Sequence, residues 1–417
     1  MFTMLKNIWS IEELRIKIIN TIKYVAPFVL MSYIRMPEVV VLEGMSKDPY
    51  LSIAALGIMP YIASTVFVSF FISDEKKRAV YSKIIALVAA AIQAFGVFML
   101  LQSVNLLPLA FNPLLFILIN VASSAFCIFL AEKISEKGIC NGRDLLMAVS
   151  VLSIAPKAIF DQFSNRINTG EPLFFIFDIA LLLICFIIAI LISQTLISLP
   201  IKVFSKTNES ELIEKNAHIL MKMNPAGDYS INCIMAIQFI PLSIMTIFFD
   251  LKNTFSLSDT WKCIIIFTTI LLSTFFYILK YTSPGIIKRN FLFLLNKSNL
   301  MPSSEIHEDD ISVDENQYDK LIISTTIINA FCLSFLSILP IVGQYWGILF
   351  EYTTLIGGAS IIFLVNAITA ALYHIDLYLR QYGVETFEEI CKGTLIGEEV
   401  FYLPYDEYEF ETDQQTT

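Results

Sequence analysis

Long apolar stretches recur along this chain, and they constrain its fold more than any other feature. A helix needs about 20 largely apolar residues to cross a membrane core of about 30 Å. Backbone polar groups inside that core must be satisfied within their own segment, so a helix is the favoured spanning element. The predicted spans are Ile18–Ile34, Leu51–Ile72, Ile84–Leu101, Leu114–Ala131, Leu145–Phe160, Leu173–Ser198, Tyr229–Phe249, Cys263–Leu279, Leu321–Pro340 and Tyr352–Tyr373. The sequence therefore predicts an all-α membrane protein with ten transmembrane helices.

The composition agrees with this prediction. Hydrophobic side chains make up 56% of the 417 residues and charged side chains only 16%, whereas about a quarter of the residues in soluble domains are charged. This composition argues against a water-soluble fold.

The distribution of Lys and Arg predicts the orientation. Cytoplasmic connections retain these residues, and most of the 28 fall on one side when the N-terminus is placed inside. Both termini are then cytoplasmic, in a bacterial cytoplasmic membrane or, as the alternative, an organellar membrane. We expect Ile11–Tyr24 to lie at the inner interface as a helix, with Ser10 and Glu13 at the spacing of a capping box. No small-residue cleavage site follows the first span, so we expect that span to stay attached.

Catalytic or metal chemistry has little support in this sequence. The seven cysteines are scattered without a CxxC pair, and the three histidines lie far apart. No phosphate-binding loop of the Walker type is present. His374 and Asp376 are the closest His and carboxylate pair, and we interpret them as an interfacial pair at the end of the tenth span. We therefore predict no enzyme activity and no cofactor.

The ten spans fall into two sets of five. The predicted divisions are an N-terminal half at 1–161, an external hinge loop at 162–172, a C-terminal half at 173–378 with cytoplasmic loops at 201–227 and 281–320, and an acidic cytoplasmic tail at 379–417. Many transporters are built from two related halves with the pathway between them. We expect two pseudo-symmetric five-helix halves here.

Two segments concentrate the negative charge. The stretch from Ser298 to Asp319 and the tail after Lys392 carry acidic residues and no Lys or Arg, and they hold most of the net charge of −10. Such runs are usually solvated. Because nucleic-acid binding requires basic side chains to neutralise phosphates, we expect no direct nucleic-acid binding.

Four motifs, in order along the chain, resemble signature segments of the SecY/Sec61 family of protein-conducting channels. They are LSIAALGIMPYIAS at Leu51–Ser64, IQAFG at Ile92–Gly96, EKISEKGICNG at Glu132–Gly142 and MNPAG at Met223–Gly227. The resemblance implies a clamshell of two five-helix halves around an hourglass pore, with a lateral seam open toward lipid. It implies that the protein conducts unfolded secretory polypeptides across the membrane and releases apolar segments into it. A secondary transporter of a small solute is the alternative, although most spans lack the facing charged residues typical of that class.

The resemblance also implies partners. These are SecE-like and SecG-like small membrane subunits, secretory polypeptides, and either a SecA-type motor ATPase, which we prefer, or the ribosome. The driving force must come from such a partner because this chain has no phosphate-binding loop.

The resemblance further implies a ring of apolar side chains that narrows the pore. Such a ring excludes ions because water and ions enter it unfavourably. Carried over by motif spacing, the predicted ring residues are Ile58, Ile62, Met147, Asn232 and Phe363. Asn232 is polar, which indicates either a wetter constriction or a register one residue away, at Ile231 or Cys233.

Two other sets of residues follow from the resemblance. Gln93 aligns with a polar position at the lateral gate, where an interhelical hydrogen bond of about 0.6 to 2 kcal/mol would act as a latch; a bond to its own or a neighbouring backbone is the alternative. The predicted docking residues for a motor or ribosome are Lys202, Lys206, Lys215, Lys222, Lys288 and Arg289.

One departure from the family pattern concerns the plug. Family members use a longer stretch between the first two spans as a small helix that closes the pore, whereas only Arg35–Tyr50 is available here. We expect a shortened plug and a specialised or accessory member of the family.

Overall fold

The computed structural model describes residues 8–37, 52–54, 56–72, 74–103, 107, 111–170, 172–206, 212–222, 230–233, 264, 266–275, 311–312, 315–345, 359–381 and 400–402. Its helices are α1 (Glu12–Tyr33), α2 (Met59–Phe71), α3 (Glu75–Ser103), α4 (Pro113–Lys137), α5 (Gly142–Asn168), α6 (Pro172–Gln194), α7 (Glu315–Tyr345) and α8 (Ala359–Gln381). Residues 230–233 and 266–275 are also helical.

Three stretches among the described residues are long and apolar enough to cross a membrane, namely Lys76–Met99, Pro113–Lys137 and Leu173–Ser193. Four further predicted spans contain shorter apolar helices, at Met59–Phe71, Ile266–Phe275, Ile327–Leu339 and Ser360–Leu372. The helical character of the predicted membrane region is therefore confirmed. The total of ten spans stays a prediction.

Local sequence explains where several helices begin. Asn112 precedes Pro113, and its side-chain oxygen accepts a hydrogen bond from the Leu114 N–H at 3.0 Å. Asn141 caps α5 in the same way, accepting from the Arg143 N–H at 3.1 Å. Both caps satisfy N–H groups that have no partner within the helix.

The first helix differs from the prediction at its start. It begins at Glu12 with Ile11 as its N-cap residue, one residue later than the predicted start at Ile11. It then runs without a break to Tyr33, joining the predicted interfacial helix to the first span. Its N-terminal end packs against the C-terminal end of α8, where Leu14 and Leu379 are both fully buried.

The second helix begins later than the predicted span. Gly57 has a φ of +48°, a left-handed conformation that glycine adopts readily, and α2 starts two residues after it at Met59. Ile58 is its N-cap residue, and the Ile62 N–H donates to the Ile58 carbonyl at 3.2 Å. The two isoleucines are therefore one turn apart, as predicted.

The region predicted as an external hinge loop, 162–172, is largely helical. Helix α5 continues to Asn168 and α6 begins at Pro172, so only residues 169–171 separate them. Gly170 supplies the turn with a φ of +76°.

The described residues also contain a four-stranded sheet, which the hydropathy pattern did not predict. Its strands are β1 (Leu196–Lys206), β2 (Leu212–Lys222), β3 (Ile311–Ser312) and β4 (Val400–Tyr402), in the order β3-β1-β2-β4. Strands β1 and β2 form an antiparallel hairpin, β3 adds antiparallel to β1, and β4 adds parallel to β2. The hairpin begins two residues after α6 ends at Gln194, within the predicted sixth span.

The chain forms two compact units. The first consists of Met1–Ile190, Asp228–Ile270 and Leu333–Cys391, and the second of Leu191–Gly227, Leu271–Cys332 and Lys392–Thr417. The first unit holds α1 to α5, most of α6, and α8, and the second holds the sheet. In the first unit, Ala86, Ala90 and Ala94 are fully buried along one face of α3, where small side chains allow close helix packing.

Candidate functional site

The predicted ring residues on α2 lie in a packed layer of the first unit. Ile58 and Ile62 are 2% and 1% exposed. Ala63, the residue after Ile62, packs with Val66 against Cys233 of the short helical segment 230–233. This contact brings α2 beside the segment that carries Asn232.

A second contact joins the helices that carry Met147 and Phe363, which are both buried. Ala148 on α5 packs against Leu364 on α8. Each of these contacting residues directly follows a predicted ring residue. The structure therefore brings Met147 and Phe363 onto neighbouring helices at matching positions.

Asn232 is buried, and its side-chain Oδ1 has no hydrogen-bond partner within the described ranges. Its neighbours Ile231 and Cys233 are buried too. Cys233 also contacts α2, and which of the three residues faces a pore stays a prediction.

Gln93 is 2% exposed on α3, and neither of its amide atoms has a hydrogen-bond partner in the part of the chain that the structure describes. The alternative of a bond to its own or a neighbouring backbone is therefore not seen there. A buried amide without a partner is unfavourable by about 1–3 kcal/mol. Gln93 is thus able to donate to, and accept from, a polar group that another conformation or another chain supplies.

The EKISEKGICNG motif forms the connection between α4 and α5, and its glycines are required by close packing. A Cβ on Gly138 would lie 2.8 Å from the Thr21 hydroxyl, and one on Gly142 would lie 2.0 Å from the Ala131 carbonyl oxygen. Thr21 of α1 also accepts a hydrogen bond from the Ile139 N–H at 3.2 Å. The motif therefore serves to fasten α1 to the α4–α5 connection, a contact that the motif alone did not predict.

Polar side chains extend this attachment to α2 and α3. Arg143 donates to the Thr65 hydroxyl at 3.4 Å, and Lys83 forms a salt bridge with Glu132. The motif, together with Arg143 directly after it, therefore contacts α1, α2 and α3.

A buried ion pair joins α5 and α6. Arg166 donates two hydrogen bonds to Asp178, at 2.9 and 3.0 Å, and the two side chains are only 5% and 3% exposed. Gln162 donates a third bond to Asp178 at 2.7 Å, and Phe174 lies 5.5 Å from the Arg166 guanidinium. Sequence analysis did not single out Arg166 as a site residue. The sequence signal for this ion pair was the opposite charge of Arg166 and Asp178, which lie twelve residues apart on either side of a Gly-containing turn.

The residues that flank the segment predicted to be a shortened plug lie side by side. The Ile53 N–H donates to the Ile34 carbonyl at 2.9 Å, and Arg35 pairs antiparallel with Ser52. We call these four residues the stem. Most of the plug segment between them lies outside the described residues.

Four of the predicted docking residues lie on the hairpin of the second unit. Lys202 and Lys206 belong to β1, and Lys215 and Lys222 belong to β2. The other two, Lys288 and Arg289, lie outside the described residues. Within the described ranges no three His, Cys, Asp or Glu side chains are grouped closely enough to hold a metal ion.

Known sequences are similar to this chain along most of its length. A family model described as SecY matches residues 52–372. The protein translocase subunit SecY of Aquifex aeolicus (strain VF5) is 25% identical over 431 residues, covering 90% of this chain and 97% of its own length. The subunit of the same name from Lactococcus lactis subsp. lactis (strain IL1403) is 23% identical, covering 92% and 97%.

Solved structures share the fold. A protein-conducting channel structure superimposes with a TM-score of 0.59 at 14% identity, covering 91% of this chain and 94% of its own. A SecY structure described for its plug domain gives a TM-score of 0.60 at 13% identity, with the same coverage. Sec61 in a canine ribosome–channel complex gives 0.56 at 14% identity, again with 91% and 94% coverage.

Proposed function

Because the chain belongs to the SecY family and is therefore a protein translocation channel subunit and not an enzyme, we propose that its helices form a pore closed by Ile58, Ile62, Met147, Asn232 and Phe363. The alternative of a small-solute transporter has no support from these relationships. The contacts of Ala63 with Cys233 and of Ala148 with Leu364 carry the proposal. Each contact lies one residue from a ring position on two neighbouring helices.

The ring acts by its chemistry. Apolar side chains hold a narrow constriction dry, and an extended polypeptide passes because the ring offers it no tight binding site. Asn232, the polar member, lowers the barrier for water at one position. Two five-helix halves around this ring, with ten spans in all, complete the proposed architecture.

Gln93 is the proposed latch of the lateral gate. Its buried amide has no partner in the described part of the chain, so it is available to a polar group across the seam. A single hydrogen bond of about 0.6 to 2 kcal/mol holds a seam closed and still allows it to open thermally. Apolar segments of a substrate then leave sideways into the lipid.

We propose that the ring is the main barrier that closes the resting pore. In one of the similar solved structures, the plug domain of SecY stabilises the closed state of the channel and maintains a membrane seal. Here the corresponding segment is short. This difference supports a specialised or accessory SecY with few cargoes.

The sheet supports the proposed orientation. It joins the segment after α6, the segment before α7 and the tail, and all three were predicted to be cytoplasmic. Strands in one sheet must lie on one side of a membrane. We place the N- and C-termini in the cytoplasm and the protein in a bacterial cytoplasmic membrane.

The partners follow from this arrangement. The lysines of the β1–β2 hairpin are proposed to dock a SecA-type motor ATPase, with the ribosome as the alternative because the similar Sec61 was solved in a ribosome–channel complex. SecE-like and SecG-like small subunits are proposed to complete the channel in the membrane.

Crosslinking tests the pore. A stalled secretory chain should form adducts with cysteines introduced as Ile58→Cys and Ile62→Cys. Phe67→Cys and Phe70→Cys are matched controls on the same helix, because both phenylalanines are about half exposed on its outer face. Adducts at the control positions alone, with substrate engaged, would refute the proposed pore.

A further inference from the structure

Two hydrogen bonds in series connect α5 with the main chain of a proposed ring residue on α2. The Arg143 Nη1 donates to the Thr65 hydroxyl at 3.4 Å, and the same hydroxyl donates to the Ile62 carbonyl at 2.7 Å. A hydroxyl is both a donor and an acceptor, so Thr65 makes the two bonds at once. The guanidinium on α5 is thereby linked, through one side chain, to the backbone of Ile62.

The start of α5 holds Arg143 in place. Its backbone N–H donates to the side chain of the N-cap residue Asn141 at 3.1 Å. Its Nε donates to the Asp144 carboxylate at 3.2 Å, and the side chains of Arg143 and Asp144 are only 26% and 22% exposed. The cap and the ion pair restrict where the guanidinium can point, so its bond to α2 starts from a fixed position.

Both residues of this contact lie about one helical turn from a proposed ring residue. Thr65 follows Ile62 by three residues on α2, or about 4.5 Å along the helix axis. Arg143 precedes Met147 by four residues on α5, or about 6 Å. Residues three or four apart share a helix face. The contact therefore joins the two faces that carry the proposed ring residues, toward the end of α2 and beside the start of α5.

We propose that Arg143 and Thr65 form a brace that sets the separation of Ile62 and Met147 in the resting ring. The inference rests on the proposed pore ring, and the two residues are positioning residues because neither belongs to that ring. An apolar constriction excludes water and ions only while it is narrow, so moving α2 away from α5 opens it to ions. The 3.4 Å bond is longer than the usual 2.7–3.2 Å or so of an N–H···O bond, and the brace therefore yields when a passing polypeptide widens the ring.

Ion conductance of the resting channel in planar bilayers tests the brace. Thr65→Val keeps the branched shape of the side chain and removes the hydroxyl, so both bonds are lost. The resting conductance should rise about two- to tenfold, the change in an equilibrium that one modest hydrogen bond represents. Thr65→Ser retains the hydroxyl and should conduct like wild type. A Thr65→Val channel as tight as wild type overturns the inference.

Ser64→Ala is the matched control for a general loss of packing. The Ser64 hydroxyl donates to the Ser82 carbonyl of α3 at 2.8 Å, so this variant also removes a bond between α2 and another helix, but one that carries no proposed ring residue. It should lower the Tm in detergent as Thr65→Val does and leave the resting conductance unchanged. An equal rise in conductance for Ser64→Ala would mean that any loosening of α2 has this effect, which overturns the brace.

A double-mutant cycle tests whether Arg143 and Thr65 act together. Arg143→Met combined with Asp144→Asn removes the donor without leaving a buried carboxylate unpaired, and it should raise the resting conductance as much as Thr65→Val. Adding Thr65→Val to this pair should give little further rise, because residues that share one interaction are not additive. Independent increases that multiply would overturn the brace.

The crosslinking experiment at the ring separates failure of the brace from failure of the pore. If Ile58→Cys and Ile62→Cys form adducts with a stalled secretory chain while Thr65→Val conducts like wild type, the ring stands and the brace is overturned. If no adduct forms at either ring position with substrate engaged, the ring fails and the brace fails with it.

Discussion

Arg166 near the end of α5 and Asp178 near the start of α6 form a bidentate ion pair that is almost fully buried. Only residues 169–171 separate the two helices. The pair therefore holds the hairpin of α5 and α6 together at the point predicted to join the two halves.

We expect Asp178→Asn to lower the free energy of unfolding by about 3–5 kcal/mol, because it leaves the Arg166 charge buried without a counter-charge. Unfolding of the purified protein in detergent, by heat or denaturant, measures the change. The double variant Arg166→Met with Asp178→Leu is the matched control and should be at least as stable as wild type, since apolar pairs replace buried ion pairs well. Equal destabilisation of the two variants would contradict the assignment.

Gly142→Ala should destabilise the protein by about 1–3 kcal/mol or more through overpacking. The added Cβ would lie 2.0 Å from the Ala131 carbonyl oxygen, so α4 and α5 must separate. Gly170→Asn is the control, because space at Gly170 is open and Asn tolerates its left-handed backbone. The same unfolding measurement compares the two, and a larger loss at Gly170 would disprove the packing argument.

Gln93→Leu should destabilise the closed conformation by about 0.6 to 2 kcal/mol, because it removes the hydrogen bond of the proposed latch. A less stable seam opens more often. We therefore expect a less apolar segment to be sufficient for lateral exit, measured with reporter segments of graded Leu and Ala content. Gln102→Leu, at the end of the same helix and partly exposed, should have no such effect. A requirement for a more apolar segment in Gln93→Leu would contradict the latch.

Ile62→Asn should make the resting channel conduct ions, because a polar side chain admits water to an apolar constriction. Single-channel recording in planar bilayers measures the conductance. Phe67→Asn lies on the exposed side of α2 and should leave the resting conductance near that of wild type. Silent channels in both variants would remove Ile62 from the ring.

Hydropathy predicted the positions of the helices well where a helix is apolar along its whole length. It failed at the end of α5, where the polar run Asp161–Asn168 was interpreted as part of a loop. That run stays helical, and Arg166 is buried there because Asp178 neutralises its charge. Compensation between residues on two helices is a tertiary effect that one-dimensional periodicity does not contain.

The sheet illustrates the same limit. Pairing of β2 with β4 joins residues 218–220 to 400–402, and no local pattern indicates a partner so far along the chain. Motif spacing alone selected Ile58, Ile62, Met147 and Phe363 for the candidate site; all four are buried, and their place in a pore ring stays a prediction. The register at Asn232 stays open, because Ile231, Asn232 and Cys233 are all buried.

The stem has a consequence for how this channel could diverge. Its hydrogen bond from Ile53 to Ile34 places the start and the end of the intervening segment side by side. The length of that segment is then uncoupled from the positions of α1 and α2, since doubling a flexible loop adds only about 0.6 kcal/mol of closure entropy. The stem is an insertion point at which evolution can shorten or lengthen the segment without disturbing the helices.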